Sequence, residues 1–293
     1  MSAPFLGKIA ILSFMSIAPA IDQDKVSQTS LARGQGWSAS DVICRCGPTD
    51  KPYEEQHGPA VIAAVLSGNF VYRSDRGDAL MATGSLMLGN AGACYSCGHE
   101  HGAGDRCLAF HFMPGFLEDV AGDLPGLRRI DFPRHRLPPM AALTPLFAAA
   151  DAALAEAERP ALEELALRMA GTALRLSHAD APPPERARDI GRIAAAARLI
   201  EEQYAEPLTI AGIAGAVGLS RYHFLRRFSA AMGMTPYQYL LNRRLRAAAQ
   251  ALREDRVPVL EASLSAGFGD LSEFTRRFRR TFGQTPSTYR RKY

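Results

Sequence analysis

Cysteine is scarce and confined. Cys44, Cys46, Cys94, Cys97 and Cys107 are the only five in this 293-residue chain. Nothing after residue 107 carries a thiol, so thiol chemistry and thiolate metal sites are excluded from the rest. An odd count, written as C-x-C and C-x-x-C, is unlike the framework of a secreted disulfide protein. Lysine is nearly missing too. Lys8, Lys25, Lys51 and Lys292 are the only ones among 34 basic side chains, which leaves 30 arginines. A GC-rich coding sequence accounts for much of that ratio, but not for where the charges lie. Beyond the first twenty residues no segment approaches the ~20 apolar residues of a membrane span.

The N-terminus allows two readings. Lys8 precedes IAILSFMSIAPA, and Ala18-Pro19-Ala20 resembles a leader-peptide cleavage site. The run is barely long enough, and Met15 serves equally well as a start. The expectation is a cytoplasmic protein with a loose tail over residues 1–40.

What is present is asymmetric. Residues 187–293 hold 18 Arg and Lys against 9 Asp and Glu, whereas residues 1–186 hold 16 against 21. A basic C-terminal third on a slightly acidic body points to a polyanion partner for that third alone. Arginine supplies a planar fork of donors that matches phosphate and guanine edges. The length suits two domains, and 47% hydrophobic residues suffice for their cores.

From Asp41 to Ile130 short apolar runs alternate with turn signals. VIAAVL (61–66) precedes Ser67-Gly68-Asn69, FVYR precedes Asp75-Arg76-Gly77, and LMLG precedes Asn90-Ala91-Gly92. Strands at that spacing predict an all-β sandwich or barrel over 41–130. Residues 143–178 are rich in Ala, Leu and Glu at helical period, interrupted by Pro160, and predict two helices that offer a dimer surface. With Pro182-Pro183-Pro184 as a stiff linker, 131–184 reads as a dimerisation segment and linker, and 185–293 as wholly helical.

That last stretch repeats itself. FLRRFSAAMGMTP (224–236) and FTRRFRRTFGQTP (274–286) share the frame F-x-R-R-F-x4-G-x-T-P, and both continue to a tyrosine, Tyr239 and Tyr289. In each copy two phenylalanines four apart share one helix face. Tyr222 and Arg226, or Ser272 and Arg276, fall on another. A glycine stops the helix, and Thr-Pro starts the next. Helix, Gly-containing turn, helix: each copy is a helix-turn-helix pattern. The residues between them, 235–255, predict one long helix that holds the two at a fixed separation. Helices that read successive major grooves lie about 34 Å apart.

These motifs, with Ala214-x-x-x-Gly218-Leu219-Ser220 and Ala266-Gly267-Phe268, resemble the DNA-binding domain of the AraC/XylS family of bacterial transcription regulators. The resemblance covers about residues 187–291. It implies base contacts from Tyr222, Leu225 and Arg226 and from Leu271, Ser272, Glu273 and Arg276. Leu225 departs from the polar residue often found there and offers only apolar contact, such as to a thymine methyl. Arg243 and Arg244, with Arg227, Arg277 and Arg280, are expected to meet phosphate or solvent. The family also implies a cupin-like sensing and dimerising domain, double-stranded DNA and a second copy as partners, RNA polymerase for an activator, and no enzymatic turnover. The overall expectation is an α+β chain: a cupin-like barrel, helices, then an all-α domain with two helix-turn-helix motifs.

The cysteines stay outside that frame. On a strand Cys44 and Cys46 would share a face, and Cys97 and Cys107 bracket a Gly- and His-rich loop. The four together would suit tetrahedral Zn²⁺, with Cys94, His99 and His101 in reserve. Buried inert thiols and a redox- or electrophile-sensing cysteine are the alternatives. Two rival functions are a cupin enzyme using His99-Glu100-His101 and an alkyl-transferring DNA-repair sensor.

Overall fold

The computed structural model describes residues 25–292, except 53, 101–103, 125, 128, 157, 180–189 and 255–256; Glu156 and Tyr222 are described by backbone only. Its N-terminal half carries nine strands: β1 (Val26–Gly34), β2 (Trp37–Cys44), β3 (Glu54–Gln56), β4 (Ala60–Ser74), β5 (Gly77–Ala82), β6 (Leu86–Gly89), β7 (Cys94–Gly98), β8 (Asp105–Phe112) and β9 (Arg136–Leu137). All pairs are antiparallel, in the order β1-β2-β8-β4-β6-β9, with β5 and β7 also on β4 and β3 on β7.

β4 organises this half. Its first part pairs with β8 and β6, and its last six residues pair with β5 and β7. The change falls at a register shift between Val65 and Ser67, followed by Gly68 at φ +79°. The turn expected at Ser67-Gly68-Asn69 is instead a bend within one continuous strand. A bulge and a left-handed glycine let a strand turn a corner without ending. A Cβ on Gly68 would stand 2.3 Å from the Gly104 carbonyl oxygen, so the corner is packed as well as bent.

Alternation along β4 and β8 sorts two cores. Ile62 and Ala64, with Leu108, Phe110 and Phe112, face helices α1 (Pro114–Gly122), α2 (Thr144–Glu156) and α3 (Arg159–Ser177). Val61, Ala63 and Val65, with Cys107 and Ala109, face the other way onto Phe70, Tyr72 and Met81. Two boundaries need correction. The loose tail expected for 1–40 is strand from Val26 onward, and the sheet runs on to β9 rather than stopping near 130. Residues 1–24, with the leader-like stretch, lie outside the described residues, as does the Pro182–Pro184 linker. The segment expected to offer a dimer surface includes α3. α3 buries Leu162, Leu165, Ala166, Met169, Ala170, Ala173 and Leu174 at the i, i+3, i+4 spacing of one stripe, and that stripe covers the chain's own sheet.

The C-terminal half is helical: α4 (Ile190–Gln203), α5 (Ile210–Ala216), α6 (Arg221–Met232), α7 (Pro236–Glu254), α8 (Val259–Ser265), α9 (Leu271–Phe282) and α10 (Pro286–Lys292). It is seated on the sheet domain along a seam. Val71, Leu80 and Ala82 enter the core shared by α4, α5 and α6, and Ala148 of α2 enters the core of α7, α8 and α9. Tyr239 donates its hydroxyl to the Thr83 carbonyl at 3.0 Å, and the Arg136 guanidinium donates to the Ala231 carbonyl. Among the described residues no helix is long and apolar enough to cross a membrane.

Candidate nucleic-acid interface

The two sequence frames become two copies of one small structure. Ser220 accepts the His223 amide at the start of α6, and Asp270 accepts the Glu273 amide at the start of α9, each satisfying a backbone donor that the first turn leaves open. Phe224 and Phe228 are fully buried with ring centroids 5.4 Å apart at 62°, and Phe274 and Phe278 repeat both values. Tyr239 and Tyr289 each meet the second phenylalanine edge-on, at 5.7 Å and 5.4 Å. Gly233 and Gly283 stop their helices at φ +66° and +73°, a conformation that costs other residues about 1 kcal/mol or more. Thr235 and Gln238 then cap α7 reciprocally, and Thr285 accepts the Thr288 amide at the start of α10.

With the phenylalanines buried, the opposite faces of α6 and α9 point outward. Leu225 is 39% and Leu271 41% exposed. Arg226, Ser272 and Arg276 are exposed. Tyr222 lies in the first turn of α6, but its side chain lies outside the described residues. Glu273 is held by Arg277 and Arg276. The Arg277 hydrogen bond, then that from Arg276, lowers its carboxyl below the usual range, so it stays charged on this face. Sequence reasoning passed over Thr275, Arg279 and Thr285, which line an open groove with Leu271, Ser272 and Arg276. Arg279, three residues on from Arg276, was the one with a signal at helical spacing. Between the two copies runs α7, whose 19 residues span about 28 Å at 1.5 Å per residue.

Two arginines expected at phosphates are engaged elsewhere. Arg243 sets its Nε 2.8 Å from Glu201 Oε2 and lies 4.0 Å over the Tyr204 ring. Arg244 donates to the Tyr204 carbonyl at 2.6 Å and to the Glu206 carbonyl at 2.8 Å. Arg246, one turn on from Arg243, donates to both oxygens of Asp151 and lies over Phe147. The reason is helical phase: the face of α7 that carries Arg243 and Arg246 is the one laid against α4 and α2. Burial raises the Glu201 carboxyl, and Arg243 and Arg246 oppose that shift without reversing it. Arg279 and Arg280 on α9, and Arg221 at the head of α6, are exposed alongside Arg226 and Arg276.

The cysteines divide into two groups. Cys44 at the end of β2, Cys46 two residues on, and His99 just after β7 bring their ligand atoms within 4.8 Å of one another. Cys97 and Cys107, expected to complete a four-thiolate set, fall outside that triangle. Each is drawn into the sheet by its strand: Cys107 pairs with Val65 in the inner core, and Cys97 pairs with Tyr72. Cys94 is exposed. Burial pushes the Cys44 thiol up to about 12 and raises Cys97 and Cys107 well above the ordinary thiol value, so none of these three is an activated thiolate near neutral pH. His101 lies outside the described residues.

Comparison with known proteins agrees with the repeat. Residues 213–292 match the family described as "Helix-turn-helix domain". The probable transcriptional regulator LumQ of Photobacterium leiognathi is 32% identical over 90 residues, 31% of this chain and 36% of that protein. The Tn10 TetD protein of Escherichia coli is 37% identical over 92 residues, which are 31% of this chain and 67% of TetD. Among solved structures, the DNA-binding domain of AdpA in complex with a target DNA is 28% identical, covering 35% of this chain and 92% of that one at a TM-score of 0.34. The match thus spans about a third of LumQ and about a third of this chain.

Proposed function

The chain belongs to the AraC-type helix-turn-helix family, and from that premise we propose that the whole protein is a transcription regulator that sets α6 and α9 into neighbouring major grooves of one DNA duplex. The observation that carries this reading is the duplicated outward face: two helices with matched buried phenylalanine pairs, both turned so that Arg226 and Arg276 project on the side away from the cores. Arg226, Arg276, Tyr222, Ser272 and Glu273 read base edges, Leu225 and Leu271 supply apolar contact, and Arg221, Arg279 and Arg280 meet phosphates. The arrangement supports recognition without turnover.

The sheet domain serves as a cupin-like signal receiver. Its support is the corner in β4, which folds two groups of strands around the inner core of Phe70, Tyr72 and Met81. The protein works in the cytoplasm. A second copy, where one is bound, joins through surfaces other than the buried stripe of α3, and RNA polymerase is the further partner of an activator. Binding-site selection on full-length protein tests the reading. A single extended motif, with contacts in two grooves about one helical turn apart, is expected. Selection of no motif, or of one groove only, overturns it. Sedimentation of the full-length protein on and off that DNA settles the second copy.

A further inference from the structure

The chain holds a constellation that DNA reading does not use. Cys44 and Cys46 come from the end of β2 and His99 from the end of β7, yet their two sulfurs and a ring nitrogen lie within 4.8 Å of one another. His99 is buried, and its Nε2 lies 2.6 Å from Asp105 Oδ1, a carboxylate whose side chain is 7% exposed. The other oxygen of Asp105 accepts the Cys107 thiol at 3.2 Å.

The surrounding backbone is built to hold this arrangement. The Gly104 amide donates to the Cys46 carbonyl at 2.8 Å, tying the loop after β7 to the segment after β2. Gly104 sits at φ +77°, and a Cβ there would stand 2.3 Å from the Cys44 carbonyl oxygen, so only glycine permits the approach. On the other side Asp50 accepts the Gly47 amide at 2.8 Å and pairs with Lys25, closing the turn that carries Cys46.

We infer that Cys44, Cys46 and His99 form a site for one thiophilic divalent ion of the zinc class, with Asp105 as the residue that orients the imidazole. Two sulfurs and one imidazole are the donors that such ions prefer over harder cations. Bond lengths of about 2.0–2.3 Å in a tetrahedron put ligand atoms roughly 3.5–3.8 Å apart, which the grouping of these three atoms accommodates. A carboxylate on the far nitrogen of a ligating histidine fixes its tautomer and ring plane. Cys44 and Cys46 are half-buried rather than sealed in the core, so an ion reaches them from the surface, and among the described residues no fourth donor is grouped with them. Cys107, fully committed to Asp105 and the inner core, supports the carboxylate and does not ligate.

The test uses the full-length protein made without a polyhistidine tag. One zinc per chain is expected after dialysis, and Co²⁺ in its place should give a thiolate charge-transfer band and the visible bands of a tetrahedral ion. Zinc-edge X-ray absorption should count two sulfurs. Cys44→Ser, Cys46→Ser and His99→Asn should each lose the ion, while Cys94→Ser, Cys97→Ser and Cys107→Ser keep it. Asp105→Asn should weaken binding by about 10–100-fold. Circular dichroism and DNA binding by each variant separate loss of the ion from loss of the fold. Absence of zinc and of any Co²⁺ band in the parent overturns the inference. So does a four-sulfur site lost in Cys97→Ser and Cys107→Ser, which would restore the all-cysteine set.

Discussion

Replacing Arg246 by Met should separate the helical half from the sheet half in stability without touching a DNA contact. The Arg246 side chain is 10% exposed and donates through Nη2 to Asp151 at 3.0 and 3.2 Å, with Asp151 22% exposed. Removing one member of a buried pair costs about 3–5 kcal/mol, chiefly because the other charge is stranded. Partial exposure lets water recover some of that at Asp151, and Met keeps the packing over Phe147 while losing the cation–π contact. A net loss of about 2–3 kcal/mol follows. Asp151→Ala removes the stranded charge, so the double variant should cost less than the two single changes together, by about 2 kcal/mol. Urea unfolding read by two probes provides the assay. Trp37, the only tryptophan, sits in β2 and reports the sheet domain, while far-ultraviolet circular dichroism weights the helices. A coupling below about 0.5 kcal/mol would refute the seam as drawn. A different failure is equally informative: unchanged stability with a DNA-binding salt slope reduced by about 1 would assign Arg246 to phosphate.

Arg276→Ala, which alters an outward side chain, should relax specificity at one base position and cost about 1–3 kcal/mol against the preferred site, checked by repeating the binding-site selection. Phe224→Ala and Phe274→Ala should each cost about 3–5 kcal/mol in thermal or urea unfolding, since both rings are fully buried in matched surroundings. Gly267→Ala should destabilise by more than about 1 kcal/mol, because Gly267 is at φ +82° and a Cβ would stand 2.6 Å from the Ala205 carbonyl oxygen. Burial first, then His111, lowers His57 to about 4, so the unfolded chain takes up that proton before the native one. Stability from His57 is therefore whole above about pH 6.5 and falls by about 3 kcal/mol as the pH drops through 4. His57→Gln should flatten that part of the stability–pH curve.

Legibility followed range. Helices α6 and α9 were plain because every determinant is local: phenylalanines four apart, a cap before, a glycine after. The strands 79–82, 86–89 and 108–112 were plain for the same reason. β1 was lost in a presumed tail because VSQTSLARG is an edge strand, largely polar and half-exposed, held by its neighbour rather than by its own composition. β4 was divided because a Ser-Gly-Asn signal that usually ends a strand here bends one. Arg243 was expected at phosphate or solvent, and Arg246, one turn on, carried no assignment. Nothing near them reveals Glu201 or, 95 residues away, Asp151. His99 entered the thiol cluster through a glycine turn and a buried aspartate, neither of which residue spacing discloses.

α7 answers to three neighbours at once: the first helix-turn-helix unit at its start, the second at its end, and the sheet domain along its flank. Its length is thus a gauge that can change only in coarse steps. One inserted residue turns the far end by about 100° and lengthens the helix by about 1.5 Å. At about 10.5 base pairs per turn of DNA, that rotation corresponds to about three base pairs, far outside any half-site tolerance. The same insertion would swing Arg246 off Asp151. On the proposed function, a different groove spacing would therefore require re-phasing the whole joint, or adding helix in near-integral turns, rather than drifting residue by residue.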